Sequence, residues 1–406
     1  MRKILPIHDN WLFSKLSTGE AAEAVTLPHT WNAIDGQDGG NDYYRGTCYY
    51  TRQLTKPAIN PGDEVWLEFL GAAHTCEVML NGEMICRHEG GYSTFRVKLE
   101  NLKENNTLVV SVDNSDNDRV YPQKADFTFY GGLYRGVNLI VVPASHFELS
   151  SCGTPGIKVT PVVNLEEKSA VITVETWQTK AESVTMEAAG KTQTVPSVDG
   201  YAKAEFTIEN VHLWDGIDDP YLYTATATLP SGDSVSTRFG CRKCEIDPQK
   251  GFLLNGRSYP LRGGSRHQDC KGVGNALTME HHRRDMEIIR EMAAKDRPHF
   301  RRRSICLFHN FPSQSDAYLN AVDKAGLLMI PAEGTDGIDN SIQFCQWYAI
   351  QKTVQFMEIL FDLSAAAPLQ FFVAFIQECR NRLAISQFQR VTRDLSRVFF
   401  RSMNII

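Results

Sequence analysis

The chain has 406 residues, 42% hydrophobic and 22% charged, an ordinary globular composition with length for two or three domains of roughly 100–200 residues each. Its formal charge of -6 excludes the basic footprint of a nucleic-acid binder and suits a neutral ligand. No apolar run reaches the roughly 20 residues that span a bilayer, the best being PLQFFVAFI, so no membrane partner is expected.

The opening MRKILPIHDNWLF begins with a basic pair, but Pro6, His8 and Asp9 cut its apolar run short of a signal peptide. That predicts a cytoplasmic setting, or a periplasmic one if a leader stands upstream. From there to about Pro143 the sequence alternates with period two, as in DEVWLEFLG, TCEVMLNGEMICRHEGGYSTFRVKLE and NNTLVVSVDN. Asn81-Gly82 between two alternating runs predicts a hairpin, and Gly90-Gly91 marks the next reversal. An antiparallel sandwich follows. SSCGTPG, residues 150–156, reads as a seam. Beyond it SAVITVETWQ, YAKAEFTIEN and YLYTATATLP have the spacing of an immunoglobulin-like sandwich of about 100 residues. The ten cysteines are scattered, and Cys241 and Cys244 have no second pair to complete a zinc site. They read as free thiols, and no cofactor is identifiable.

After Gly251 the pattern changes. A strand-like SYPLRGG leads into YPLRGGSRHQD, whose glycines let a strand end tightly and present Arg266, His267, Gln268 and Asp269 at its C-terminal tip. Thr278 then caps a predicted helix with Met286, Ile289, Met292 and Ala293 on one face. A second helix holding Tyr318, Leu319 and Val322 ends at Gly326, before the apolar strand LLMI. Strand, helix, helix, strand is the opening of an α/β barrel, whose site lies at the C-terminal tips of its strands.

Several strings, in order, resemble glycoside hydrolase family 2, the family of β-galactosidases and β-glucuronidases. TLPHTWN, EVMLNGEMICRHEGGYSTF, ADFTFYGGLYRGVNLI and PLRGGSRHQD carry the resemblance, which covers roughly residues 8–335. It implies a mainly β protein: a galactose-binding-like jelly roll over residues 1–149, an immunoglobulin-like sandwich over 150–247 and part of a TIM barrel over 248–340, with residues 341–406 unmatched. It also implies a carbohydrate partner, a terminal β-galactoside, cleaved with retention in intact relatives. Asp126 falls on the aspartate that reaches from the jelly roll into the galactose subsite, His267 on a barrel histidine of that subsite, and His309 in FHNFPS on a second. Arg266 adjoins them as a further substrate contact. Neutral imidazoles and a carboxylate suit sugar hydroxyls, and Phe127, Phe129 or Tyr130 suit the sugar's C–H face. The residues alone also allow Asp126 as a turn aspartate, His267 paired with Asp269, and Arg135 in a structural ion pair.

Elsewhere the sequence departs from the family. Retaining hydrolysis needs two glutamates with carboxyls about 5–5.5 Å apart, and the family's acid/base glutamate follows an asparagine. None of Asn310, Asn320, Asn340, Asn381 or Asn404 precedes a glutamate, and Glu333, Glu358 and Glu378 have no good family match. A barrel takes about 250 residues, yet residues 251–406 number 156. Where the family has Asn-x-Val/Ile-Arg-x-Ser-His, this chain has AAKDRPHFRRRSICLFH. DRPHF can be encoded GAC CGT CCG CAT TTC, which one base later reads Thr-Val-Arg-Ile-Ser. The expectation is therefore that about residues 296–307 are out of frame, that family-like sequence resumes near 309–334, and that it lapses by about Ser341. A genuine insertion with a surface RRRS cluster is the alternative. On this reading the chain is an inactive member, or a noncatalytic carbohydrate-binding protein.

Overall fold

Alternation builds the first sandwich. In a computed structural model of the chain, which describes residues 1–37, 42–120, 128–150, 153–259, 263–266, 268–295, 306–309 and 328–331, it consists of ten strands. These are β1 (Lys3–Pro6), β2 (Trp11–Ser14), β3 (Glu23–Val25), β4 (Thr47–Thr55), β5 (Glu64–Phe69), β6 (Thr75–Leu80), β7 (Glu83–Glu89), β8 (Phe95–Leu99), β9 (Asn105–Asp113) and β10 (Val137–Val142). One sheet runs β1-β10-β5-β8 and the other β3-β2-β4-β9-β6-β7. Their inner faces bury Trp11, Tyr50, Leu67, Phe69, Val78, Leu108, Val110 and Leu133 in one core. Asn81 and Gly82 both take positive φ, 53° and 87°, which closes the predicted β6–β7 hairpin.

The second sandwich packs β11 (Ile157–Asn164), β12 (Ser169–Trp177) and β15 (Tyr201–Glu209) against β13 (Ser183–Ala188), β14 (Lys191–Pro196), β16 (Tyr223–Thr228) and β17 (Ser234–Phe239). In β15 every second residue, from Ala202 to Ile208, is buried, as YAKAEFTIE predicts, and joins a core around Ile172, Val174, Met186 and Phe206. Arg2 ties the two sandwiches. Its Nε donates to Asp233 Oδ1 at 3.0 Å, and Asp233, fully buried, also accepts from the Phe147 N–H at 2.8 Å. A small sheet of β18 (Cys244–Asp247), β19 (Gly251–Leu254) and β20 (Arg257–Ser258) follows, packed with Trp214 and Tyr259.

The next strands are parallel. β21 (Gly263–Ser265) pairs with β22 (Cys306–His309), which pairs with β23 (Leu328–Pro331), and α1 (Met279–Lys295) lies between the first two in sequence. This is the α/β opening expected. Gly263 and Gly264 lie within the strand and Ser265 is its last residue, so the glycines do not themselves end it. Thr278 directly precedes α1, and its hydroxyl lies 2.9 Å from His281 Nδ1, so a histidine supplies one half of a capping box. The Thr278 N–H donates to His281 Nδ1 at 3.1 Å, the reciprocal contact that a glutamate three residues on usually makes. Met286 is buried on the inner face as expected, and Ile289 is half-buried. The second predicted helix, Glu333, Glu358 and Glu378 lie outside the described residues. No helix among the described residues is long and apolar enough to cross a membrane, and the described cysteines are free thiols.

Candidate functional site

Register places the site. Ser265 pairs with Phe308 and His309 with Pro331, so Arg266 and His309 follow as the next residues on neighbouring parallel strands, at one C-terminal edge. Asp126, Phe127 and His267 lie outside the described residues, as does the side chain of His309. What is visible is the frame around them.

The loop leaving β21 docks on the jelly roll. Residues 270–274 fold on themselves: the Cys270 N–H donates to Gly274 O at 2.9 Å, and the Val273 N–H donates to Cys270 O at 3.1 Å. Gln37, in a 3-10 turn at Asp35–Gln37, then grips this loop from both sides. Its Nε2 donates to Cys270 O at 2.9 Å while its Oε1 accepts the Gly272 N–H at 2.8 Å. Tyr130 hydroxyl donates to Asp269 Oδ2 at 3.1 Å. Burial, reinforced by the Asp269 carboxylate, pushes the Tyr130 phenol up to about 12, which keeps it a donor. Gly274 has φ +54°, and a Cβ there would lie 2.8 Å from the Tyr130 ring and 3.0 Å from the Thr30 methyl. Only glycine fits so close an approach.

The jelly-roll side of this joint is itself pinned. Asn32, fully buried, accepts the Gly131 N–H at 2.9 Å and donates to Tyr44 O at 2.9 Å, while Asn114 Nδ2 donates to Phe129 O at 2.8 Å and to Asn32 Oδ1 at 3.2 Å. Thr128 hydroxyl donates to Gly36 O at 2.5 Å. Segment 128–131, which begins two residues after Asp126, is thus held at both its backbone and its rings. Phe129 is buried beneath the Arg45 guanidinium, 5.0 Å from the ring centre, and beside His74 at 5.4 Å. Its ring serves the jelly-roll interior.

Arg266 faces helix α1. Its Nε donates to Asp285 Oδ2 at 2.7 Å and Nη2 bonds the same oxygen, with the guanidinium side chain 8% exposed. His282, buried on the inner face of α1, has its Nδ1 3.5 Å from Arg266 Nη2. Burial first, then Arg266 and Arg135, hold this imidazole down at about 4, so it stays neutral. Arg135 donates through Nη1 to Tyr92 O at 2.6 Å, a structural contact. Sequence reasoning missed His282, although its position four residues before Met286 places it on the predicted apolar face. It also missed Gln37, whose partner lies 233 residues away and leaves no local signal. Among the described residues no three His, Cys, Asp or Glu side chains cluster as metal ligands do.

Replacing Tyr130 by Phe removes one half-buried hydrogen bond and leaves Asp269, which is exposed, free to hydrate. The expected cost is about 1 kcal/mol, read as a shift of the urea midpoint.

A profile described as Glycosyl hydrolases family 2 matches residues 156–242, the second sandwich. A β-glucuronidase of Bacteroides fragilis is 32% identical over 362 residues, covering 83% of this chain and 50% of that protein. The chain is related to the family 2 glycosyl hydrolases. A β-galactosidase of Thermoanaerobacterium thermosulfurigenes is 29% identical over 364 residues, covering 81% of this chain and 48% of that protein. Among solved structures, an FMN-binding β-glucuronidase from Faecalibacterium prausnitzii L2-6 superposes with TM-score 0.73 at 38% identity, over 81% of this chain and 52% of that one. Bacteroides uniformis β-glucuronidase 2, covalently bound to cyclophellitol-6-carboxylate aziridine, superposes with TM-score 0.69 at 30% identity, over 82% of this chain and 42% of that one. The chain thus spans about half the length of the family 2 relatives it matches. β-Glucuronidases stand beside β-galactosidases among them, so the family resemblance extends beyond the galactoside emphasis of the sequence motifs.

Proposed function

We propose that the chain presents the sugar-recognition face of a family 2 glycosidase, accepting the non-reducing end of a terminal β-galactoside or β-glucuronide, and that it does not itself turn substrate over. The observation that carries this reading is the joint between jelly roll and barrel: segment 128–131 and the loop after β21 are locked together at the edge where β22 ends. Residues just before that segment and within that loop, Asp126 and His267, together with His309, are the proposed sugar contacts. Arg266 supports them through its bond to Asp285. The missing turnover is argued from chemistry: retention needs two glutamates about 5–5.5 Å apart, and no glutamate after His309 follows an asparagine.

The test is hydrolysis of chromogenic β-galactoside and β-glucuronide by the purified chain, beside binding of the corresponding unreactive thioglycosides. The expected result is no release of chromophore above an Asp126→Ala control, with thioglycoside binding that the control loses. Turnover abolished in the control would mean that Glu333, Glu358 or Glu378 serves as catalyst and would overturn the inactive reading. Binding without turnover also fits a noncatalytic carbohydrate-binding protein, the second reading, favoured by the intact sandwiches.

A further inference from the structure

We infer that Gln37 is a positioning residue that sets the barrel's first strand-end loop in register with the jelly roll, an inference that rests on the sugar-recognition reading above. Three features support it. Gln37 uses both ends of its amide on the backbone of one loop, donating to Cys270 O at 2.9 Å and accepting from Gly272 N at 2.8 Å, so the loop is fixed in direction as well as distance. Cys270 O also accepts the Val273 N–H, so the same carbonyl closes the loop and anchors it. The loop is shaped for the contact, with φ of +84° at Gly272 and +54° at Gly274, and with no room for a Cβ at Gly274 against Tyr130.

The alternative, a surface amide that decorates a loop already rigid, makes a different prediction. Tyr130 grips only Asp269, at the loop's start, through one bond. The Cys270–Gly274 bridge is internal to the loop and would move with it. Among the described side chains, Gln37 alone hydrogen-bonds the loop's backbone from the jelly roll. It therefore governs where the loop sits, and with it the residues between β21 and Asp269, without contacting sugar itself.

The test compares the full chain with Gln37→Ala and Gln37→Glu. Amide hydrogen exchange of the peptide containing residues 268–277 is measured alongside binding of phenyl thio-β-galactoside and phenyl thio-β-glucuronide. Gln37 is partly exposed, so the thermal midpoint is expected to hold and separates positioning from folding. In Gln37→Ala the loop should exchange at least tenfold faster and the sugar bound by the parent should bind at least tenfold more weakly. Gln37→Glu keeps the acceptor for Gly272 and sets a carboxylate against Cys270 O, so both effects should be intermediate. Unchanged exchange in Gln37→Ala, or faster exchange with unchanged affinity, would overturn the inference. A parent chain that binds neither sugar would instead overturn the sugar-recognition reading, and this role would fall with it.

Discussion

Acidifying the protein from pH 7 towards pH 4 should strip it of on the order of 6 kcal/mol of stability, half each from His74 and His282. Both imidazoles are at most 4% exposed and are held at about 4 against an ordinary 6.5, chiefly by burial. His74 faces Arg45, which opposes protonation, and Asp113 and Asp116, which favour it. His282 faces Arg266, Arg135 and His281 against Asp285 alone. The unfolded chain takes up these protons below about pH 6.5, while the folded chain refuses them until about pH 4. Stability is therefore full above pH 6.5 and drains as the pH falls between those values. His29, also held at about 4 by burial, adds in the same direction. Urea midpoints followed by tryptophan fluorescence should fall steeply from pH 6.5 to 4.5, and His282→Gln should flatten the part of that slope that belongs to α1. A midpoint level across the interval would show that these histidines are protonated in the native state.

Local signals made the two sandwiches legible. Asn81-Gly82 names its own hairpin because few other residues accept two successive positive φ values, and YAKAEFTIE can bury only one face. The barrel opening was legible in kind and misplaced in detail. Tyr259, predicted to lie with the first parallel strand, is buried with Phe252 and Trp214 against the small sheet, while Gly263–Ser265 pair in the parallel one. Period-two patterning does not say which of two sheets a short apolar run joins. Polar contacts over long separations were the least legible. Asn32 and Gln37 stand five residues apart; one supports segment 128–131 and the other the loop at 270–272, yet nothing near them in sequence marks either role. Arg266 adds a partner of the same kind: Asp285, nineteen residues on, accepts from its Nε at 2.7 Å, a contact that nothing in the loop announces. Of the proposed sugar contacts, Asp126 and His267 lie outside the described residues, so their assignment remains the work of sequence motifs.

Arg96→Ala should cost about 3–5 kcal/mol, the penalty for leaving a buried carboxylate without its partner. Arg96 on β8, Glu68 on β5 and Asn138 on β10 stand directly opposite one another across three neighbouring strands. Arg96 Nε donates to Glu68 Oε1 at 2.8 Å and Asn138 Nδ2 donates to Glu68 Oε2 at 2.8 Å, with the charged side chains only 7% and 9% exposed. The remaining guanidinium nitrogens reach past the sheet into the seam between sandwiches. Nη1 donates to Thr154 O at 2.8 Å and Leu149 O at 3.3 Å, and Nη2 donates to Gly153 O at 3.2 Å. One arginine therefore neutralises the outer face of the jelly roll and shapes the start of the next sandwich. Two consequences separate these roles. Arg96→Met combined with Glu68→Leu removes both charges and should cost less than Arg96→Ala alone, because no unpaired carboxylate remains. The seam carbonyls lose their donor in either case, so protease cleavage within residues 149–156 should accelerate in the single and the double variant alike. Restored stability together with a protected seam in the double variant would mean that the linker holds its shape without Arg96, and that the arginine serves the jelly roll only.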